Sequence, residues 1–483
     1  MSSPSAGAKP LSLVTILCFS GTSLPLGALA IALAVYLPPY FASQLGVSLA
    51  VVGGAFATVR LLDLAVDFAL GIAMDRTKTR WGRYRVWTLI GAPFLMAALY
   101  MLFMAPEGIG MGYIIGWLLV MYLGTSILGL SHSAWAGTLA TNYDQRSRIF
   151  GIMAAVGVVG AITVLLVPIV MEAMGRGEGE SVRAMGWYII SLTPIAIFLI
   201  VWRTPETIGR DVDNAFRWKD YLTLMVRPNV VRLLLADLCL SLGPGWMSAL
   251  YLFFFRDSMG FTTGQATNLL GVYIVAGFFG APLISRLAMK LGKHRSLAVT
   301  TTVYSLGLCC LMLVPKGSIL GALPIMFTCG FMAAGFQLLT RAMTADIADE
   351  IRLDQGQERL GLLYALTTLT GKVAGAFAIG LTFTVLEQVG YQAKVGAVNT
   401  PEAIASLEWA YLLGPIVFVM LGGACFWGYK LNAIKHGEIR QALEERDRQL
   451  AEAENQYDEA PIIESISGEP ATLAPGNPRT RLT

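Results

Sequence analysis

Twelve times along the chain the sequence stays apolar for the length of a bilayer crossing, about 20 residues, and that recurrence decides the fold class. In lipid a spanning backbone must satisfy its own amides, so runs of this length are read as helices. They lie near Leu11–Tyr40, Leu49–Met74, Val86–Met104, Met111–Leu139, Ile149–Met171 and Trp187–Trp202, then near Val230–Phe255, Thr267–Met289, Leu297–Pro315, Ile319–Ile347, Leu360–Leu386 and Trp409–Leu431. With 55% hydrophobic and 14% charged residues, the chain is too apolar throughout for a soluble enzyme. The expected fold is an all-α membrane protein with twelve transmembrane helices in two six-helix bundles. Residues 1–202 form the first bundle, 203–228 a linker around Trp218, 229–432 the second bundle and 433–483 a polar tail. In that tail the charged stretch Lys435–Glu454 suits a solvated helix, and Ala460–Thr483 has the composition of a disordered segment.

Basic residues fall on alternate loops. Arg76, Lys78, Arg80, Arg83 and Arg85 follow the second span, Arg146 and Arg148 the fourth, Arg203 to Arg227 the sixth, and Lys290, Lys293 and Arg295 the eighth. Even-numbered loops and both termini are therefore expected on the cytoplasmic side, of a bacterial inner membrane. The same loops explain the net charge of +3, which argues against a nucleic-acid partner. The chain echoes itself: Asp75-Arg76 to Gly82-Arg83 follows the second span, and Arg286, Lys290 and Gly292-Lys293 follow the eighth. Six plus six in that order predicts a parallel duplication. Glycine-rich stretches, Gly151–Gly160 and Gly371–Gly380, predict close helix approach. All six cysteines lie within spans and lack metal-ligand spacing, so they are read as small buried hydrophobes. With no nucleophile–base pair and no phosphate loop, an enzyme and a cofactor are not expected.

One span carries an expensive anomaly, Arg60-Leu-Leu-Asp63-Leu-Ala-Val-Asp67. Each mid-membrane charge costs about 2.5–3.5 kcal/mol on insertion scales. Positions i, i+3 and i+7 share one helical face, so a guanidinium and two carboxylates point the same way. Facing a water-filled or protein interior, that face can hold a cation or a proton.

The segment from Arg60 through Asp63, Asp67, Gly71, Asp75-Arg76, Arg80-Trp81-Gly82-Arg83 and Arg85 to Trp87 resembles the signature of the glycoside-pentoside-hexuronide:cation symporters, the melibiose-permease-like branch of the major facilitator superfamily. The likeness continues through Tyr143-Asp144-Gln145-Arg146-Ser147-Arg148, Asp346, Asp349, Glu358-Arg359-Leu360-Gly361 and Lys372, and it covers residues 10–432. It implies the major facilitator fold, a cation site at Asp63 and Asp67, and Lys372 facing them across a central cavity, with Arg60 and Lys372 in coupling. A lysine opposite two carboxylates favours their ionised forms, and an arriving cation competes with it.

Galactoside carriers of that family present carboxylates where this chain has Gly27 and Ser131, and an arginine where it has Val156. Melibiose is accordingly not the expected substrate. The polar groups left for a solute are Ser20, Thr22 and Ser23 on the first span, Thr125, Ser126, Ser131, His132 and Ser133 on the fourth, beside the aromatic Trp135, and Gln337 and Thr340 on the tenth. Each Ser or Thr has the alternative of bonding its own helix. His132 and Trp135 have the alternative of plain packing. The oxygen ligands that sodium-coupled relatives add to the carboxylates fall at Val66 and Leu128, so the sequence leans toward the proton over Na+. Asp75, Arg76, Arg83, Asp144, Arg148 and Asp346 are read as an inward gate.

The expected function is cation-coupled symport of a carbohydrate-like solute (glycoside, saccharide or uronide) by alternating access, by a monomer with the bilayer and a monovalent cation as partners. The alternative is a carrier of an amphiphile such as a lysolipid, which calls for a cavity with few hydrogen bonders and a lateral opening. A non-transporting sensor, the reading from another class, would bind ligand without flux.

Overall fold

A computed structural model describes residues 11–77, 79–139, 143–206, 224–356, 359–429, 431, 434–449 and 452. Of the expected linker, residues 207–223 lie outside these, as does the tail beyond 452. The side chains of Asp75 and Asp144 also lie outside the description.

The described chain is helical, with helices α1 (Leu13–Ser43), α2 (Leu49–Arg76), α3 (Tyr84–Phe103), α4 (Met111–Leu139), α5 (Tyr143–Ala173) and α6 (Glu178–Arg203). Then come α7 (Pro228–Ser258), α8 (Thr263–Leu291), α9 (Lys293–Leu311), α10 (Ile319–Gln355), α11 (Leu360–Gln388), α12 (Pro401–Ala424) and a terminal helix α13 over 434–449. Eleven are long and apolar enough to cross a membrane. The remaining traverse, α9, begins on Lys293-His294-Arg295 and is threonine-rich, and its Thr300, Thr301 and Tyr304 are buried against its neighbours.

Boundaries differ from the sequence reading most at the starts of α5, α6 and α12 and at the ends of α10 and α12, the last of which stops at Ala424, short of Leu431. Helices run past the apolar stretch where polar ends find partners. Helix α6 starts at Glu178, ahead of Trp187, with Glu178 and Glu180 in its first turn, where carboxylates suit the positive end of the helix dipole. Helix α10 continues past Ile347 to Gln355 and stops at Gly356, whose φ of 73° is the left-handed turn glycine adopts freely.

Helices α1–α6 pack on one another, and so do α7–α12; across the divide α2 lies on α11, α5 on α8, and α1 on α7. The duplication expected from basic loops is written more legibly at the opposite end. Leu45-Gly46-Val47-Ser48 joins α1 to α2, and Met259-Gly260-Phe261-Thr262 joins α7 to α8. Gly46 and Gly260 turn at φ 68° and 71°. Leu45 N donates to Tyr40 O at 3.3 Å and Met259 N to Phe254 O at 3.1 Å, while Val47 N–Phe41 O and Phe261 N–Phe255 O match at 3.0 and 2.9 Å. Each preceding helix carries a π-helical turn, Ala32–Tyr36 and Phe254–Ser258.

Glycines set the closest approaches. A Cβ added at Gly27 would stand 2.1 Å from Gly157 O, and one at Gly160 would stand 2.0 Å from Leu24 O, so α1 and α5 touch backbone to backbone. Gly27→Ala must separate them, and overpacking of this kind costs about 1–3 kcal/mol. Its thermal midpoint in detergent is expected to fall by several degrees, whereas Gly129→Ala, where a Cβ meets nothing within 4 Å, leaves the midpoint unchanged.

Candidate cation and solute site

Asp63 and Asp67 are one helical turn apart on α2, on the face that α11 covers. Lys372 of α11 donates to Asp63 Oδ2 at 2.7 Å and also to Asp67 Oδ2. Asp63 is only 1% exposed and Lys372 17%, so this is a largely desolvated pair in which removal of one charge strands the other. Ser126 of α4 donates from Oγ to Asp63 Oδ1 at 3.0 Å. Arg60 Nη1 stands 3.8 Å from Asp63 Oδ2, and its guanidinium lies 4.9 Å from the Tyr122 ring centre. Gly375 makes room for that guanidinium, since a Cβ there would be 3.3 Å from Arg60 Nε.

These contacts bring Arg60, Asp63, Asp67 and Lys372 into one cluster, and they add Ser126 and Tyr122, which the sequence reading gave no role at the ion site. The signal for Ser126 was a hydroxyl on the fourth span, sought at position 128 and found half a turn earlier. Asp67 Oδ1 is buried and accepts from no donor among the described residues. A carboxylate oxygen in that state fits a cation or a proton as the transported substrate. Both carboxylates and the Ser126 oxygen also supply more of the hard oxygen ligands that sodium prefers than Val66 and Leu128 had suggested.

The residues expected at the solute lie apart from one another in their bonding. Thr22 is buried and its hydroxyl has no partner among the described residues, and Ser23 is half-buried beside it. Ser131 donates to Leu128 O at 3.2 Å and shares a contact with Thr88. His132 Nε2 meets Phe19 O at 3.0 Å, with the two rings 4.6 Å apart. Trp135, 0% exposed, donates to Pro205 O at 3.2 Å. Thr340 bonds its own helix at Phe336 O, whereas Gln337 is exposed and reaches Ser241 at 3.4 Å. Gly27, the position of a carboxylate in galactoside carriers, is sealed against α5.

Of the expected gate, Arg76 and Arg148 are exposed, and Arg83 Nε donates to Thr77 O at 3.3 Å. The Arg83, Tyr84 and Arg85 amides donate to Glu206 at 2.6, 2.7 and 3.1 Å, a carboxylate cap on α3 that the sequence reading missed. Asp346 pairs with Lys293 of the second half at 2.6 Å and lies 3.3 Å from His436 of α13, in the tail.

The chain is similar to known proteins over most of its length. It is 24% identical to the glucuronide carrier protein homolog of Escherichia coli (strain K12), over 86% of this chain and 92% of that one. It is 23% identical to the isoprimeverose transporter of Lactiplantibacillus pentosus, over 87% and 89%. In fold it resembles the crystal structure of the nucleoside transporter NupG, with a TM-score of 0.62 at 14% identity, covering 86% of this chain and 98% of that one. The family model described as MFS/sugar transport protein matches residues 18–433, and the chain belongs to that family of transporters.

Proposed function

We propose that the protein is a secondary active symporter that moves a carbohydrate-like solute with a monovalent cation by alternating access. The observation that carries this reading is the span of the charge cluster. Asp63 and Asp67 belong to α2 in the first half, and Lys372 belongs to α11 in the second. A cation that takes the carboxylates releases the ammonium, and with it an ion pair that ties the halves together. Ion occupancy and rocking of the halves are then one event. Each charge moved across the membrane draws about 2.3 kcal/mol per 100 mV. The relatives are named as carriers of a glucuronide and of isoprimeverose, which favours a carbohydrate over the amphiphile.

The basic loops are assigned to the cytoplasm by the positive-inside rule. Several bonds join the halves at the opposite end: Arg256 to Glu178 at 3.2 Å, Tyr36 to Thr267 at 2.8 Å and Val395 N to Ser43 O at 3.1 Å. These contacts close the end assigned to the outside.

The test is uptake into proteoliposomes with each ion gradient imposed alone. Uptake driven by a pH gradient in sodium-free buffer assigns the proton, and uptake driven by sodium at fixed pH assigns Na+. Equal uptake with no gradient of either ion, and no accumulation with one, would contradict symport.

A further inference from the structure

At the end of the molecule away from the basic loops, two glutamates that no motif singled out occupy equivalent positions in the duplicated halves. Glu172 is the penultimate residue of α5, and Glu387 is the penultimate residue of α11. Each reaches across the divide to the start of a helix in the other half. Glu387 Oε2 accepts from the amide of Ala50, the second residue of α2, and Glu172 Oε2 accepts from the amide of Gly264, the second residue of α8. In both helices the third residue's amide is already taken by the helix's own cap, Val51 by Ser48 Oγ at 3.3 Å and Gln265 by Thr262 Oγ1 at 3.2 Å. The glutamates thus satisfy the adjacent orphan amide, where the positive end of the helix dipole favours a carboxylate. Gly264 is fitted to this contact, because a Cβ there would lie 2.6 Å from Glu172 Oε2. The turns that present the two amides are the repeated Leu45–Ser48 and Met259–Thr262 segments described above.

We infer that Glu172 and Glu387 are a two-fold-related pair of gate-positioning residues that hold the outer end closed and must both release their helices before the cavity opens outward. That the end is outer rests on the proposed function. Two contacts in the same register across the two inter-half seams, α2 with α11 and α5 with α8, act on one rigid-body movement. Neither can part while the other holds.

Hydrogen exchange of the purified full-length protein tests this through peptides covering residues 48–54 and 262–268. Glu387→Ala is expected to speed exchange about tenfold, the size of losing a carboxylate at a partly buried helix start, at both α2 and α8. Glu172→Ala is expected to do the same at both. Glu387→Gln and Glu172→Gln, which keep an acceptor and fold with fewer losses, give a smaller rise in the same two places. In vesicles the Gln variants should bind external solute more tightly and turn over more slowly, with the accumulation ratio unchanged. A rise confined to the mutated contact's own helix would reduce the pair to ordinary helix caps and overturn the inference, as would unchanged exchange in all four variants. Loss of accumulation in the unmodified protein would instead strike at symport and leave the exchange result standing.

Discussion

Asp63→Asn abolishes uphill accumulation of solute while the protein still inserts and still exchanges solute down its gradient. Asparagine keeps the shape, with its oxygen able to accept from Lys372 and its NH2 able to donate to Ser126 Oγ, but cannot present the charge that a cation neutralises. Without that charge, ion binding no longer alters the bond between α2 and α11, and the coupling between ion and solute disappears. Coupling free energies are typically about 1–3 kcal/mol, so the factor by which the ion improves solute affinity should fall from about 5- to 150-fold to one. Asp67→Asn has the same sign, since its buried Oδ1 accepts from no donor among the described residues. Uptake in proteoliposomes, with expression and monodispersity as controls, checks both. Wild-type accumulation by either variant would remove that residue from the ion site.

Lys372→Met has the second large effect, and it splits stability from affinity. The substitution retains length and packing but leaves Asp63, 1% exposed, beside Asp67 with the Ser126 hydroxyl and, among the described residues, Arg60 at 3.8 Å in compensation. Breaking a buried pair from one side costs about 3–5 kcal/mol, so the thermal midpoint should drop sharply in the absence of the coupling ion. The ion meets no competing ammonium in this variant, so it should bind more tightly and restore more stability than it gives the wild type. Accumulation is lost, because occupancy no longer changes a contact between the halves. Adding Asp63→Asn to Lys372→Met should recover stability, as contacting residues are not additive. A double variant whose loss equals the sum of the two single losses would show that Lys372 and Asp63 do not act as a pair.

The fold was legible because lipid leaves so few choices. A run such as Met111–Leu139, apolar over a whole crossing, has to be a helix. Helix ends were less legible, since apolarity marks the lipid and not the helix. The eight residues of α10 beyond Ile347 include Asp349 and Arg352, which pair with His436 and Asp447 of α13 across the water-facing end, and no apolar pattern reports that. Within the ion site, Asp63, Asp67 and Arg60 stood out because a charge in a span has no bland explanation. Ser126 was read only among the hydroxyls left for a solute, because nothing in a serine's position along a span tells a ligand from a group that bonds its own backbone. Glu172 and Glu387 were hidden for a related reason. An acid at a span's end looks solvated, and only the folded chain brings it to another helix's amides. A sequence signal did exist: the matched Leu-Gly-Val-Ser and Met-Gly-Phe-Thr turns, ahead of residues 50 and 264.

The solute site was the least legible. His132 and Trp135 were chosen for chemistry that suits a sugar, yet in this conformation their polar atoms are spent on Phe19 O and Pro205 O.

The central claim is that the ion at Asp63 and Asp67 and the solute share one coupling free energy. Calorimetric binding of a glycoside or uronide ligand, titrated with and without the coupling ion and then in the reverse order, tests it most directly. The account predicts that the ion raises solute affinity and that the solute raises ion affinity by the same factor, with the factor falling to one in Asp63→Asn. Solute affinity in the wild type that is indifferent to both pH and sodium would contradict it.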